Sequence, residues 1–307
     1  MLTQLQTMLD HKYRVFYHLA KNPNTTKVAE ELYLSQPAIS KNIRELEKEL
    51  GITLFHRERG GMRLTEAGQY LFTATEFLIK KEREILFEID RIRDTFKGTL
   101  NIGASTTLSQ YILPEILARF THTSSSLKIN LTSGNTDQIE KEILSGNLHL
   151  AFIEGSPTQP DIHYIPYLRD EIVLVCAAHH PIAETISQAE LSQLSFVFRE
   201  KGSGTYHIIK KQLSDAGIQI QSLQDQLTLG TTEGIKQYLQ CSDCFALLSI
   251  YSIRNELSAG KLKIVEIEGL KIERTFYAIH RQGEIDPYAR KFLDFSLRQK
   301  IFSSGDE

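Results

Sequence analysis

The stretch Leu34-Ser35-Gln36-Pro37-Ala38-Ile39-Ser40-Lys41-Asn42-Ile43-Arg44 reads as the start of an amphipathic helix. Ser35 is a favourable N-cap residue, and Pro37 is tolerated in a first turn, where its missing N–H would have no partner. Apolar residues at four- and three-residue steps predict a buried stripe: Ile39, Ile43, Leu46 and Leu50. Polar and basic residues remain on the exposed side: Gln36, Ser40, Lys41 and Arg44. The stretch alone fits both a DNA recognition helix and an ordinary surface helix.

The preceding residues predict two further helices. Residues 13–21 have helical apolar spacing and reach a break at Asn22-Pro23-Asn24, after which Thr25 or Thr26 can cap a short second helix. Tyr33-Leu34 supplies a tight turn into the helix that begins at Ser35. Three helices with a short turn between the second and third indicate a helix-turn-helix.

The residues after Gly51 predict a basic hairpin. Two short strands flank Gly60-Gly61, a favourable two-residue turn. Arg57, Arg59 and Arg63 cluster around its tip. Such a hairpin is either a solvated surface loop or a wing that lies along a DNA backbone or minor groove, and its position beside a helix-turn-helix favours the wing.

A long helix is predicted after the hairpin, because Thr65 can cap it and no proline or glycine occurs between Gly68 and Gly98. Apolar residues recur there every seven positions: Leu71, Leu78, Ile85 and Ile92. Four heptads favour pairing with a second helix over one helix lying on its own domain. Charged neighbours weaken the seam, which indicates a short antiparallel or crossed pair.

Bulk properties place the chain among ordinary globular proteins. It has 307 residues, 41% hydrophobic and 24% charged, with a net charge of −3. No apolar run approaches the roughly 20 residues that span a bilayer. The first residues lack the pattern of a secretory leader, and three cysteines make no disulfide framework, so a cytoplasmic location without membrane association is expected. Residues 1–97 carry a small basic excess and the remainder is net acidic.

The residues after Gly98 alternate between short β-rich runs and helical stretches. This pattern predicts parallel α/β units, with a later strand near Arg274–His280 that returns to the first set. Two small α/β lobes joined by two chain crossings form a hinged clamp, and small ligands bind between such lobes.

Four predicted strand-to-helix turns are rich in glycine and hydroxyl groups, and helix starts of this kind bind anions. We expect them to converge on one cleft that takes a small anionic metabolite, since Arg199 and Lys201 add positive charge. Plain helix capping is the alternative for each turn. The candidate effector-binding residues are Ser105, Thr107, Asn135, Arg199, Ser203, Thr205 and Thr231.

Several runs together resemble the LysR-type transcriptional regulators: Ser35-Gln36-Pro37-Ala38-Ile39-Ser40, Leu46-Glu47, Leu50-Gly51, Leu54-Phe55-His56-Arg57 and Leu64-Thr65-Glu66-Ala67-Gly68. The resemblance implies that Gln36, Pro37, Ser40 and Lys41 face the DNA groove and that Arg57 and Arg63 face phosphates. It also implies effector contacts from Ser105, Thr107, Asn135 and Ser203, with Arg199 as the counter-charge. The run Asn24-Thr25-Thr26-Lys27-Val28-Ala29 departs from the family pattern.

The resemblance extends over the α/β part, which is similar to the periplasmic-binding-protein-like effector domain of that family. Its Gly103–Thr107 and Arg199–Thr205 runs look most like the branch of sulfur-assimilation and carbon-fixation regulators. The predicted fold is α/β: a winged helix-turn-helix (1–64), a linker and dimerisation helix (65–97) and a two-lobed effector domain (98–307). Lobe I is expected at about 98–168 and 270–307, and lobe II at about 169–269.

The expected function is sequence-specific, ligand-responsive DNA binding. The candidate DNA-binding residues are Ser35, Gln36, Pro37, Ser40, Lys41, Arg44, Arg57, Arg59 and Arg63. The expected partners are double-stranded DNA with a pseudo-palindromic operator, a small anionic metabolite, a second or further copies as homodimer or homotetramer, and RNA polymerase as a further candidate.

A solute-binding protein or an enzyme built on the α/β clamp is the rival interpretation. No catalytic motif, cofactor site or metal site is predicted from the sequence. Cys241 and Cys244 form a lone CxxC without a second pair or nearby histidines, and His179-His180-Pro181 reads as a solvated loop.

Overall fold

The computed structural model describes residues 8–58, 61–93, 97–124, 127–155 and 157–299. The chain divides into two compact units, Met1–Thr95 and Phe96–Glu307. None of the helices in the described ranges is both long and apolar enough to cross a membrane.

The first unit contains three short helices, a hairpin and a long helix. Its described elements are α1 (His11–Lys21), α2 (Thr25–Glu31), α3 (Gln36–Leu50), β1 (Phe55–Glu58), β2 (Gly61–Leu64) and α4 (Glu66–Arg93). One apolar core joins them, in which Phe16 of α1, Val28 of α2 and Ile39 of α3 are fully buried. Ala29 is also buried, as close packing of α2 on α3 requires.

The ends of α3 agree with the sequence. The Ser35 hydroxyl accepts a hydrogen bond from the Ala38 backbone N–H, and Gly51 ends the helix in the left-handed conformation at φ +68°. Leu50 is an exception to the predicted stripe, because it is 42% exposed whereas Ile39, Ile43 and Leu46 are buried. It lies in the last turn of the helix, beyond the reach of the core.

Two other local predictions are corrected by the structure. Asn24, rather than Thr25 or Thr26, caps α2, and its side chain accepts from the N–H groups of Thr26 and Lys27. Gly61, which was predicted to lie in the hairpin turn, is instead in β2 and pairs with Glu58. Residues 59 and 60 lie outside the described residues.

The long helix α4 is anchored in the first unit at its start and its middle. The Thr65 hydroxyl accepts from the Gly68 N–H, as the sequence predicted. A Cβ at Gly68 would lie 2.2 Å from the Leu54 carbonyl oxygen, so only glycine allows this close approach. Glu82 is buried and accepts hydrogen bonds from the Met8 N–H and the Arg14 guanidinium.

The second unit is an α/β structure with strands interleaved with helices. Its strands are β3 (Gly98–Ser105), β4 (Leu127–Gly134), β5 (Leu150–Glu154), β6 (Ile162–Ala177), β7 (Thr185–Ile186), β8 (Ser195–Arg199), β9 (Gln224–Leu229), β10 (Ala246–Ser249), β11 (Leu262–Ile267) and β12 (Ile272–Arg281). Its α-helices are α5 (Thr106–Tyr111), α6 (Leu113–Thr123), α7 (Thr136–Leu144), α8 (Gly204–Asp215), α9 (Thr232–Leu239), α10 (Ile250–Ser258) and α11 (Pro287–Arg298).

Two long antiparallel strands, β6 and β12, connect two regions of this unit. At one end β12 pairs with β5. Next to β5 in the sheet lies β3, and next to β3 lies β4, all three parallel to one another. At the other end β6 pairs with β10 and β11. The strands β8 and β9 form a separate parallel pair. The region around β3–β5 is termed lobe I, and the region around β8–β11 is termed lobe II.

The return of β12 to the first set of strands was predicted, but the length of β6 was not. Its first half, from Ile162 to Glu171, alternates irregularly between buried and exposed positions and includes Pro166, so it carries no clear strand pattern. Pairing of residues 162–172 with β12 stabilises this part of β6 as a strand, although the local sequence does not predict one.

Candidate DNA-reading surface and interlobe site

The exposed face of α3 presents polar and basic groups near its N-terminus. Gln36, Lys41 and Arg44 are exposed and Ser40 is half-buried. The Gln36 amide donates a hydrogen bond to the Thr26 hydroxyl at 2.9 Å, which fixes its side chain against the start of α2. Arg44 donates to the Ser40 carbonyl oxygen, and Lys41 lies 3.8 Å from Glu45. Gln36 and Arg44 therefore each make a hydrogen bond within the chain.

Tyr33 is a feature of this surface that sequence reasoning missed. It lies in the turn before α3, 96% exposed, with a positive φ of 56°. An exposed tyrosine in the left-handed conformation is uncommon and indicates a turn held by its surroundings. The signal in the sequence was its place in the tight turn, but neither exposure nor φ can be read from residue type.

The described part of the hairpin contains two of the three predicted arginines. Arg63 is exposed on β2, opposite His56 of β1, and Arg57 lies in β1 opposite Met62. Arg59 lies outside the described residues, as does the side chain of Arg57.

The apolar heptad residues of α4 separate into two groups. Leu71 packs against the core of the first unit. Leu78, Ile85 and Ile92 are instead 47%, 43% and 78% exposed, with Ile89 beside them at 37%. These four residues are termed the α4 stripe. A row of large exposed aliphatic side chains along one helix marks an interaction surface.

The four hydroxyl-rich turns of the second unit do lie at strand ends, and two of their side chains are used as helix caps. Asn135 forms a capping box with Gln138 of α7, and the Thr231 hydroxyl accepts from the Gly234 N–H of α9. Helix capping, the alternative to ligand binding at each turn, is thus the observed role of Asn135 and Thr231. It leaves less hydrogen-bonding capacity for a ligand at these two positions.

Ser203 differs from those caps. It precedes the 12-residue helix α8 and is 1% exposed, and its hydroxyl makes no hydrogen bond within the described structure. Thr107 is likewise buried, at 2% exposure. A buried hydroxyl without a hydrogen-bond partner destabilises the fold, so the Ser203 hydroxyl is a candidate for hydrogen bonding to a ligand.

Arg199 is buried at the junction of the two lobes. One of its terminal nitrogens donates to the Thr106 hydroxyl of lobe I at 3.0 Å and to the Thr232 hydroxyl of lobe II at 3.1 Å. Its Nε donates to Glu200 at 2.9 Å. The Arg199 guanidinium, which was expected to bind a ligand, thus already pairs with the Glu200 carboxylate. It also hydrogen-bonds to both lobes.

A buried charged network at the interlobe junction was missed by sequence reasoning. Glu154, Asp170 and Arg274 are 1%, 4% and 5% exposed. Arg274 donates from Nε to Asp170 at 2.6 Å, and its Nη1 lies 3.7 Å from a Glu154 oxygen. Burial raises the pKa of the Asp170 carboxyl, and the adjacent Arg274 guanidinium opposes that rise.

The hydroxyls of both lobes converge on Glu154. The Ser105 hydroxyl donates to one carboxylate oxygen, and the Thr205 hydroxyl donates to the other at 3.0 Å. Thr205 also accepts from Arg274 at 2.8 Å. Two predicted effector-binding residues are therefore brought together, but around a carboxylate of the chain itself.

A second cross-lobe contact involves Tyr111 of α5. Its hydroxyl donates to Glu233 of α9, and the Lys236 ammonium lies 4.9 Å from the centre of its ring. Burial raises the pKa of Tyr111, and the bond to Glu233 adds to the rise, so the phenol stays protonated. Lys236 is itself buried and bonded to Glu256 and the Ser252 carbonyl oxygen.

A groove of about 950 Å³ lies between α8 and the long strands, and Asp170 and Arg274 of the buried network are among the residues that line it. Lys211, Arg169 and Tyr251 line it, together with Lys271, which pairs with Glu273 at 2.7 Å. None of the seven predicted effector residues, all of which the structure describes, lines this groove.

Within the described ranges, no group of three or more histidine, cysteine or acidic side chains is arranged to hold a metal ion. Cys241 is exposed and Cys244 is buried, both as free thiols.

Comparison with known families assigns most of the chain. Residues 11–69 match the bacterial regulatory helix-turn-helix proteins of the lysR family, and residues 93–300 match the LysR substrate binding domain. The chain belongs to the LysR family. The resemblance read from the motifs around Ser35 and Thr65 is confirmed.

Individual LysR relatives extend over nearly the full chain. A RuBisCO operon transcriptional regulator of Allochromatium vinosum is 29% identical over 289 residues, covering 93% of this chain and 94% of the relative. The HTH-type transcriptional regulator YeiE of Escherichia coli is 32% identical over 285 residues, covering 92% and 94%. Both are named as transcriptional regulators rather than enzymes, and carbon-fixation regulators are among the similar LysR proteins.

Solved LysR structures share the fold. A full-length OxyR variant from Pseudomonas aeruginosa superposes with a TM-score of 0.69 at 18% identity, covering 94% of each chain. The regulatory domain of CcmR from Synechocystis, in complex with 2-PG, gives a TM-score of 0.60 at 25% identity, covering 66% of this chain and 96% of that domain. The predicted fold class, an N-terminal helix-turn-helix followed by a two-lobed α/β domain, is confirmed.

Proposed function

We propose that this LysR regulator binds a pseudo-palindromic operator and that a small anionic metabolite held between lobes I and II modulates DNA binding or activation. Residues 1–64 form the DNA-binding domain, residues 65–97 the linker and dimerisation helix, and residues 98–307 the effector domain. Its place of action is the cytoplasm, where DNA and RNA polymerase are its further partners.

In this proposal α3 enters the major groove by its N-terminal end. Gln36, Ser40 and Arg44 contact base edges, Pro37 and Lys41 also face the groove, and the helix start at Ser35 approaches the backbone. Electrostatic affinity comes from cations that displace phosphate counterions: Lys41, Arg57, Arg59 and Arg63. The exposure of Gln36, Lys41 and Arg44 supports these roles.

The effector site is proposed at the meeting point of four turns. The observation that carries it is the buried, unpartnered hydroxyl of Ser203 at the start of α8, where helix N–H groups and the helix dipole favour an anion. The remaining proposed contacts are Ser105, Thr107, Asn135, Arg199, Thr205 and Thr231. CcmR supports an anionic effector, because its regulatory domain was solved in complex with 2-PG, which is 2-phosphoglycolate.

Pairing of two copies through the α4 stripe is also part of the proposal, giving a homodimer or, with further contacts, a homotetramer. Two copies bring two recognition helices to the two half-sites of one operator. The exposure of Leu78, Ile85 and Ile92 supports this surface as the one that is covered.

The DNA-reading assignment predicts that Gln36→Ala relaxes sequence preference. A side chain that pairs with a base edge contributes about 1–3 kcal/mol of discrimination, so the affinity for the operator should fall about 5- to 150-fold. Affinity for unrelated DNA should stay within about two-fold, since no phosphate contact is lost. Fluorescence anisotropy with operator and scrambled duplexes at one salt concentration measures both.

Lys41→Ala is the matched control on the same helix face. It should weaken binding to both duplexes about equally and make the dependence on salt shallower. A Gln36→Ala protein that gives a footprint with unchanged selectivity would show that α3 does not read bases through this residue.

A further inference from the structure

Glu154 lies at a point where hydrogen bonds connect the two lobes. It ends β5 of lobe I and is 1% exposed. Its two carboxylate oxygens accept hydrogen bonds from Ser105 of lobe I and Thr205 of lobe II. The Glu154 carboxylate therefore accepts one hydrogen bond from a hydroxyl of each lobe.

The start of α8 packs closely on the stem of the Glu154 side chain and on the turn before α7. A Cβ at Gly204 would lie 2.5 Å from the Glu154 Cγ and 2.5 Å from the Thr136 hydroxyl oxygen. A Cβ at Gly202 would lie 2.7 Å from the Asn135 amide nitrogen. Each hydroxyl has a single O–H, and Ser105 and Thr205 both donate theirs to Glu154, so an external anion can accept from them only in place of this carboxylate.

The site also holds more hydrogen-bond donors than Glu154 uses. The Ser203 hydroxyl and the Nη2 of Arg274 are buried and have no acceptor within the described structure. Arg274 is shared between Asp170 and Glu154, and it also donates to Thr205. The Ser203 hydroxyl and the Arg274 Nη2 are therefore available as hydrogen-bond donors to the oxygens of a bound anion.

We propose that Glu154 is an internal competitor of the anionic effector and sets the affinity of the cleft for anions. This inference rests on the proposed anionic effector of the same site. Effector binding transfers the Ser105 and Thr205 hydroxyls from the Glu154 carboxylate to the ligand, which breaks one of the contacts between the lobes. The charge of Glu154 then selects for ligands that bind strongly enough to displace it.

The test is anion binding by full-length protein, measured by isothermal titration calorimetry with inorganic phosphate at constant ionic strength. Glu154→Gln keeps the shape of the side chain and removes the competing charge. It should bind phosphate at least about ten-fold more tightly than the unaltered protein, which corresponds to about 1.4 kcal/mol. Glu154→Asp retains the charge and should stay within about three-fold.

Glu140→Gln is the matched control. Glu140 is also a buried glutamate of lobe I, and it accepts from the Tyr164 hydroxyl at 2.8 Å, away from Ser105 and Thr205. Its replacement should leave phosphate affinity unchanged. Thermal melting and operator binding of each variant establish that it is folded.

The outcomes separate the inference from the proposed function. Phosphate binding by Glu154→Gln that is equal to or weaker than that of the unaltered protein overturns the competitor role and leaves the anion site standing. Equal tightening by Glu154→Asp also overturns it, because charge would not be the cause. If neither the unaltered protein nor Glu154→Gln binds phosphate, sulfate or 2-phosphoglycolate, the anionic effector itself is refuted.

Discussion

Replacing Arg274 with methionine is expected to lower the free energy of unfolding of the effector domain by about 3–5 kcal/mol, the cost of leaving buried charges without a partner. Arg274 is the cation between Glu154 and Asp170, which are 1% and 4% exposed. The hydroxyls of Ser105 and Thr205 would still donate to Glu154, but no positive charge would balance the pair. Urea denaturation followed by circular dichroism measures the change.

The loss should depend on pH in a definite direction. Burial already raises the pKa of the Asp170 carboxyl while Arg274 opposes the rise, so removing Arg274 raises this pKa further. An acid whose pKa is higher in the folded state stabilises the fold fully below its unfolded pKa, and this contribution disappears as pH rises through the folded pKa. The destabilisation by Arg274→Met should therefore be larger at pH 8 than at pH 5.

Arg169→Met supplies the control for Arg274→Met. Arg169 is exposed, and it lies on β6 next to Asp170. Its replacement should change stability by no more than about 0.5 kcal/mol. Combining Arg274→Met with Asp170→Asn should recover part of the loss, because one of the two unpaired charges is removed. A loss that is small, or the same at both pH values, would mean that the network does not stabilise the fold electrostatically.

Introducing a charge into the α4 stripe is expected to separate the proposed dimer. Ile85 is 43% exposed near the middle of the stripe, so Ile85→Glu leaves the core of the first unit untouched. Buried between two copies, the new carboxylates would lie unpaired in an apolar seam, and the dimer dissociation constant should rise at least about 100-fold. Size-exclusion chromatography with light scattering measures it.

Operator affinity should fall with the dimer, because two linked DNA-binding heads gain about 10²–10⁴-fold from their effective concentration. Thr73→Glu places the same charge on another exposed face of α4 and should leave both mass and affinity unchanged. An Ile85→Glu protein with the mass and operator affinity of the unaltered protein would exclude the stripe as the dimer interface.

The first unit could be predicted from sequence because local chemistry determines much of it. Ser35 and Gly51 mark the ends of α3 with specific capping roles, and the spacing of Ile39, Ile43 and Leu46 reports their burial. The errors were local too. Asn24 and Thr25 are both suitable cap residues, and only the backbone geometry decides between them.

The interlobe site was predictable only in outline. Hydroxyls after strands point to Ser105 and Thr205, because parallel strands end at a common edge. Glu154 and Arg274, by contrast, lie 120 positions apart, and the charge of each gives no hint of burial in the sequence. Their partnership follows from the pairing of β12 with both β5 and β6, a long-range feature that no local pattern encodes.

The most direct test of an anion-modulated regulator is a titration of anions into the complex of the full-length protein with its own upstream DNA. Inorganic phosphate, sulfate and 2-phosphoglycolate are added at constant ionic strength, and DNA affinity is followed by fluorescence anisotropy, with footprinting at saturation. We expect one of these anions to shift the affinity or the footprint saturably, with affinity changes in the range of about 5- to 150-fold, and Ser203→Ala to lose the response. Absence of specific DNA binding, or a response that persists undiminished in Ser203→Ala, would refute regulation through this site.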